Sequence, residues 1–312
     1  MGGWKKRFWW KLALKVIDAL LSPTQMKAQL APSTKAKATK AKRDAQIADI
    51  LVGATVPTRP RLLLIVGPCS AHCPDAVMEY MAKLAIIADD ISEKVLIIPR
   101  VYTAKPRTSG MGYMGILHEK DGLFKARKLH LDILENFGLS SADEMLYPAL
   151  VPYFCDLVSY FAIGARSVLN QEHRLVASGL NVPVGIKNPL SGDLEAMQAA
   201  VNAVQKPHEF IFRDSFVQTK GNKLAHGVLR GAADAPNHKQ AHKLDMPIIV
   251  DASHGNSCKN PLNQRAVALE AIKNPNVCGV MLESFTYKGQ SITDPCLPWP
   301  ETKELIYEIA GV

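Results

Sequence analysis

No two of the six cysteines form a Cys-x-x-Cys pair; they stand at positions 69, 73, 155, 258, 278 and 296. That spacing removes the zinc-ribbon and thiol-redox readings. It points to free thiols in a reducing compartment, so a cytoplasmic location is expected. Low-complexity sequence is nearly missing too, confined to one Lys/Ala-rich stretch at 33–43. With 47% hydrophobic and 21% charged residues, the chain has the composition of a folded protein, and 312 residues need no disulfide staples.

A long unbroken apolar run is also lacking. Lys11, Lys15 and Asp18 interrupt the apolar start, which excludes a membrane span. The same charges fall where the apolar core of a signal peptide would lie. Lys6 stands where a myristoylation site wants Ser or Thr. Net positive charge is lacking over most of the chain. The net charge is +8, yet residues 1–48 alone hold eleven Lys/Arg against two Asp, leaving the remainder near neutral. A basic face for nucleic acid is therefore not expected.

What is present begins with that basic arm. On a helical wheel Arg7, Lys11, Lys15 and Asp18 form one polar stripe, and Trp4, Phe8, Trp9, Trp10, Leu12, Leu14 and Ile17 cover most of the rest. A helix of this kind needs a surface. Docking on a neighbouring subunit of a homo-oligomer is the favoured reading, with contact at a membrane surface the second. The expected division is a basic helical arm at 1–48 and a catalytic domain at 49–312. Within the arm, 33–43 reads as a solvated helix or linker, followed by a short helix at 44–51.

From residue 61 on, short β-rich runs alternate with helical stretches. The strand-like runs are 62–67, 95–101, 142–146, 161–165, 182–186, 208–212, 248–251 and 277–282. Helical patterns cover 75–87, 122–137, 194–205, 263–272 and 301–309. Apolar strands in repeated β-then-α order imply a parallel sheet covered by helices, and eight such units imply an α/β fold of the (β/α)8 TIM-barrel type. The segment 217–229, turning at Lys220-Gly221-Asn222, reads as an added β-hairpin. The stretch 231–245 is too short for a full barrel helix.

Chemistry in such a barrel sits at the C-terminal ends of the strands. Each expected strand delivers a polar side chain there, and these fall into two sets. Cys69, His254, Glu283 and Asp294 offer a thiolate, an imidazole and two carboxylates, which suits a divalent transition ion such as Mn, Fe, Co or Zn. Arg100, Lys105, Arg107, Arg166, Lys187 and Arg230 are six cations that would repel one another without an anionic ligand, and forked arginines match phosphate and carboxylate oxygens. A Schiff-base aldolase using Lys187 is a rival reading, but it would not need the four-ligand set.

Several motifs carry a family resemblance. They include Gly67-Pro68-Cys69-Ser70, Lys105-Pro106-Arg107-Thr108, Ile163-Gly164-Ala165-Arg166, Gly185-Ile186-Lys187-Asn188, Leu229-Arg230-Gly231 and Asp251-Ala252-Ser253-His254. In this order the set resembles class I 3-deoxy-D-arabino-heptulosonate-7-phosphate (DAHP) synthases, from about residue 21 to the C-terminus. The resemblance implies condensation of phosphoenolpyruvate with D-erythrose 4-phosphate, the first step of the shikimate pathway to aromatic amino acids. It implies that Cys69, His254, Glu283 and Asp294 hold the metal. Arg100, Arg166, Lys187 and Arg230 would hold phosphoenolpyruvate, and Lys105, Arg107 and Thr108 the aldose phosphate. Lys105 is then a proton donor, Glu144 arranges the attacking water, and His254 belongs to the catalytic set. It also implies a homo-oligomer. The alternatives are a non-catalytic barrel binding phosphorylated metabolites, and the same chemistry on another aldose phosphate. Several loops are short, and position 73 is Cys where the family has an acidic residue.

Overall fold

The computed structural model describes residues 19–53, 61–233, 235–286 and 291–312. Most of the amphipathic segment expected at 1–21 lies outside the described residues. Eight parallel strands run in the order β2-β1-β10-β9-β8-β5-β4-β3. They are β1 (Leu62–Gly67), β2 (Val95–Pro99), β3 (Ala142–Glu144), β4 (Tyr160–Ile163), β5 (Val184–Lys187), β8 (His226–Leu229), β9 (Ile248–Asp251) and β10 (Val277–Glu283). A parallel bridge between Arg100 and Ala142 joins the two ends of this order and closes the barrel. The fold is thus the expected (β/α)8 barrel.

Period-2 alternation along the strands separates two cores. Leu63, Ile65, Ile98, Tyr160, Ala162, Val228, Ile249 and Met281 pack inside the barrel. Leu64, Val66, Ile97, Phe161, Ile163, Leu229 and Val250 pack outward. Against the outer face lie α3 (Pro74–Asp90), α4 (Gly122–Phe137), α5 (Gln171–Ala177), α6 (Leu194–Val204), α7 (Gln264–Ala271) and α8 (Trp299–Ala310). Two positions carry only 3-10 turns: Pro148–Tyr153 after β3 and His238–Lys243 after β8. The second agrees with the short 231–245 connection.

The N-terminal extension forms α1 (Pro23–Gln29) and α2 (Thr34–Val52). Ser33 caps α2 by accepting from the Ala36 amide at 3.1 Å. The stretch 33–43, read as a solvated helix or linker, is helical, and it runs on through the helix expected at 44–51 as one element that crosses residue 48 without a break. Its Ile47 and Leu51 join the inner core and plug the barrel base. Beside them Arg43 donates to Ser140 Oγ at 3.1 Å and to the Ile97 carbonyl.

One strand assignment is corrected. The run 208–212 is not the sixth barrel strand. Its core becomes β6 (Glu209–Phe212), pairing antiparallel with β7 (Ser215–Gln218) in a separate two-stranded sheet. The added hairpin therefore lies at 209–218 rather than 217–229, and it turns at Arg213-Asp214. The barrel's sixth strand is β8. Its Gly227 explains its weak appearance, because an added Cβ would meet Ile248 Cδ1 at 2.8 Å and Met197 Cε at 2.9 Å.

Candidate active site

The alternation that points Ile98, Gly185, Val228, Ile249 and Met281 inward also points the next residue of the same parity inward. That residue is Arg100, Lys187, Arg230, Asp251 and Glu283 respectively. All five are buried. Glu144 follows Ala142 by the same rule. Strand geometry thus gathers charge on the inner face of one rim, over an apolar interior.

The side chains line a cavity of about 420 Å³, bordered by Arg100, Lys105, Arg107, Glu144, Arg166, Lys187, Arg230, His254, Glu283 and Asp294. Of the residues expected at the site, only Cys69 and Thr108 do not border it. Cys69 is fully buried just behind it. Thr108 is exposed and accepts from Arg166 Nε at 3.0 Å, which ties two loops together across the mouth.

The charges are paired in order. Lys187 Nζ donates to Asp251 Oδ2 at 2.8 Å. The same oxygen lies 3.1 Å from His254 Nδ1. Burial raises the Asp251 pKa, but the charges of His254 and Lys187 outweigh it and hold the carboxyl well below the usual range. Arg100 Nη2 donates to Glu283 Oε1 at 2.8 Å, and its guanidinium lies 3.8 Å over the Tyr102 ring. Burial would raise Glu283, yet His254, Arg100 and Lys105 pull it down to about 2. Arg100 Nε is buried and has no partner among the described residues.

The four proposed metal ligands meet as two pairs. Cys69 Sγ is 3.2 Å from Asp294 Oδ2, and His254 Nε2 is 3.6 Å from Glu283 Oε1. Lys105 Nζ donates to Cys69 Sγ at 3.1 Å and to the Cys69 carbonyl at 2.9 Å. Burial, then Glu283, raise the Cys69 thiol to about 11 against the pull of Lys105 and Arg100. Among the described residues, no three His, Cys, Asp or Glu side chains surround one point. Lys105 and Arg100 stand against these donors and neutralise them.

Three residues with work at this rim were not assigned from sequence. Asp251 sits inside a quoted motif, and an acidic residue ending an apolar strand was its signal. Gln264, at the start of α7, donates to the Glu283 carbonyl at 3.0 Å and accepts from the Glu283 amide at 2.8 Å. Tyr102 continues the inward parity of Arg100. Tyr102 also ends a motif, Ile98-Pro99-Arg100-Val101-Tyr102, whereas Gln264 has no sequence signal apart from the fold.

A closed parallel barrel with buried cations and carboxylates at its strand ends defines a barrel enzyme for anionic, phosphorylated substrates. Residues 38–308 match the DAHP synthetase I family. The Tyr-sensitive phospho-2-dehydro-3-deoxyheptonate aldolase of Escherichia coli K12 is 35% identical, over 94% of this chain and 92% of its own. The phospho-2-dehydro-3-deoxyheptonate aldolase of Corynebacterium glutamicum is also 35% identical, over 94% and 91%. A solved structure of the Francisella tularensis SCHU S4 enzyme of that name superposes with a TM-score of 0.87 at 31% identity, covering 96% of this chain and 98% of that one. The chain belongs to the DAHP synthetase I family. No helix among the described residues is long and apolar enough to cross a membrane.

Proposed function

We propose that this chain joins phosphoenolpyruvate, D-erythrose 4-phosphate and water into DAHP and phosphate. The observation that carries this reading is the pocket itself. An inner tier of Arg100, Lys187 and Arg230 is buried, and an outer tier of Arg107 and Arg166 lies at the mouth. Two tiers of anion donors in one cavity suit one anion held deep and a second held near solvent.

In this reading Arg100, Lys187, Arg230 and Arg166 bind phosphoenolpyruvate. Lys105, Arg107 and Thr108 bind the aldose phosphate, which leaves its aldehyde above the enol carbon. That carbon attacks the aldehyde, and the carbonyl oxygen gains charge. Burial disfavours the Lys105 ammonium, but Cys69 beside it raises its pKa, so it holds a proton to give to that oxygen. C2 becomes electrophilic and takes water, whose proton goes to Glu144. The C2–O bond to phosphate then breaks.

The donor set fits a divalent ion, since thiolate, imidazole and carboxylates suit Mn, Fe, Co or Zn. Cys69, His254, Glu283 and Asp294 would hold it, and it would supply Lewis-acid polarisation of the aldehyde oxygen. The homologues' names support the substrates, and the donor chemistry supports the metal.

The test is phosphate release from purified protein given both substrates, with and without chelator. Release that needs both substrates and stops with chelator is expected. Release unaffected by exhaustive chelation would remove the metal from this reading, and no release would favour a non-catalytic barrel. Turnover with another aldose phosphate alone would change the substrate.

A further inference from the structure

Lys187 ends β5, and the loops after β8 and β9 carry Arg230 and His254. Three buried asparagines, Asn188, Asn237 and Asn256, join them. Asn188 Oδ1 accepts from the Arg230 amide at 2.9 Å and from Asn237 Nδ2 at 3.1 Å. Its Nδ2 donates to the Gly231 and Pro189 carbonyls, each at 2.9 Å. Asn237 Oδ1 accepts from the Gly231 amide at 2.8 Å. Asn256 Oδ1 accepts from the Asn237 amide at 2.8 Å and the His238 amide at 3.1 Å. Its Nδ2 donates to the carbonyls of Leu229 at 3.0 Å and Asp251 at 2.8 Å.

Asn188 and Asn256 each bond both to their own segment and to the loop after β8, while Asn237 bonds within that loop and across to Asn188. The amide and carbonyl of Gly231 and the amide of Arg230 are all taken by asparagine side chains, so the backbone on both sides of the Arg230 side chain is fixed. The loops are also in backbone contact. Gly231 has φ +78, and a Cβ there would come within 2.5 Å of the Asn256 amide nitrogen. This is the part of the barrel where a 3-10 turn stands in place of a helix. A barrel helix would order the strand-end loop by packing and by its own N-terminus. Here side-chain amides do it. The Arg230 guanidinium has no carboxylate partner among the described residues; its Nη1 lies 3.3 Å from the Gly231 carbonyl and 3.5 Å from that of Ala232. Its tip is held by carbonyls of this same loop rather than by an ion pair such as fixes Arg100 and Lys187, so its aim depends on its backbone.

We propose that Asn188, Asn237 and Asn256 form an amide clamp of positioning residues that aims Arg230 at the anion of phosphoenolpyruvate. The clamp rests on the functional reading above. It differs from simple loop stability in acting on one substrate. Positioning partners of this kind change affinity by about 10–100-fold when removed from metal sites, and a comparable loss is expected for an anion.

The test compares Asn237→Ala and the isosteric Asn237→Asp with Asn222→Ala. Asn222 is equally buried and donates to the Ala177 and Val182 carbonyls at 3.3 and 2.9 Å, ahead of β8 at the opposite end of the barrel. Both Asn237 variants should raise KM for phosphoenolpyruvate about tenfold or more, with KM for the aldose phosphate within about twofold. Asn237→Asp keeps the side-chain shape and the acceptor for Gly231 but puts a carboxyl oxygen in place of the donor to Asn188, so it gives the readout if the alanine variant is poorly folded. Asn222→Ala should lower Tm and leave the ratio of the two KM values unchanged. If the Asn237 variants shift both KM values alike, or neither, the clamp is only structural and the proposal falls. If the wild type does not saturate with phosphoenolpyruvate, the functional reading fails first and takes the clamp with it.

Discussion

The two ends of the barrel are built from the same strands and could hardly differ more. At the base, Leu63, Ile65, Ile98, Ile249 and Met281 pack with Ile47 and Leu51 of α2, and the few polar groups there are bonded to one another, Arg43 to Ser140 and Tyr160 to His226. At the rim, two residues further on or less, the inward positions become Arg100, Lys187, Asp251 and Glu283, each 4% exposed or less. Buried ion pairs gain little net stability, because desolvation offsets their attraction. Burial of apolar area is favourable at roughly 25 cal/mol per Å². The comparison assigns stability to the base and chemistry to the rim.

Lys187→Ala should have the largest effect, because it breaks the rim in both senses. It leaves Asp251 with only His254 and Ser253, which should cost on the order of 3 kcal/mol of stability. It also removes a buried cation from the anion site, with an expected loss of about 2–5 kcal/mol in phosphoenolpyruvate binding. Calorimetric titration and urea melts read the two separately. Unchanged affinity would remove Lys187 from the site.

Ile65→Ala sharpens the contrast from the base. The side chain is fully buried in the inner core. Its truncation should cost about 2–5 kcal/mol of stability. Activity of the folded fraction should change less than in Lys187→Ala, because Ile65 lies level with Ile98 and Met281, one inward layer below the rim charges, and carries no charge itself. A base variant that alters KM as strongly as a rim variant would end the division of labour.

The same contrast explains what could be read from sequence. β1, β9 and β10 were legible because strands buried on both faces are continuous apolar runs. The rim charges were legible because each directly follows such a run. The sixth strand was not. Glu209–Phe212, with Phe-Ile-Phe in a row, looks more β-like than His226–Leu229, whose Gly227 is required by tight packing against Met197 and Ile248. The asparagines were illegible for a related reason. Asn237 and Asn256 look like ordinary loop residues, and Asn188 stands in a quoted motif without a role, until the fold brings three distant loops together. Cys69, His254, Glu283 and Asp294 were named from chemistry, but their pairing with Lys105 and Arg100 is a tertiary fact.

A smaller effect is expected where the N-terminal extension meets the barrel wall. Arg127 donates to both oxygens of Asp156 at 2.8 Å, and also to the Leu30 carbonyl. Burial raises the Asp156 pKa, but the bonds and charge of Arg127, with Lys27, hold it below the usual value. A depressed carboxyl stabilises the fold above its unfolded pKa, and that contribution is lost as pH falls through the folded one. Asp156→Asn should therefore be less stable than wild type from about pH 5 to 8, and the gap should close below about pH 4. Urea melts at several pH values check this; a gap that widens in acid would contradict it.

The smallest effect should come from the hairpin, which belongs to neither end of the barrel. On β6 and β7, Ile211 and Phe216 are direct cross-strand partners, 77% and 72% exposed. Their neighbours Phe210 and Phe212 face the other way and pack against the outer core. The hairpin is thus held by one face, and the Ile211–Phe216 pair adds only its own contact. Cross-strand pairs contribute about 0.2–1 kcal/mol relative to alanine. Ile211→Ser should destabilise by less than about 1 kcal/mol, and Phe212→Ser by more, because the second opens the packed face. If Ile211→Ser proved as damaging as Ile65→Ala, the exposed face would have to be covered in solution. Melts repeated over a range of protein concentrations would then show it, since burial against a second molecule makes Tm depend on concentration and burial within one chain does not.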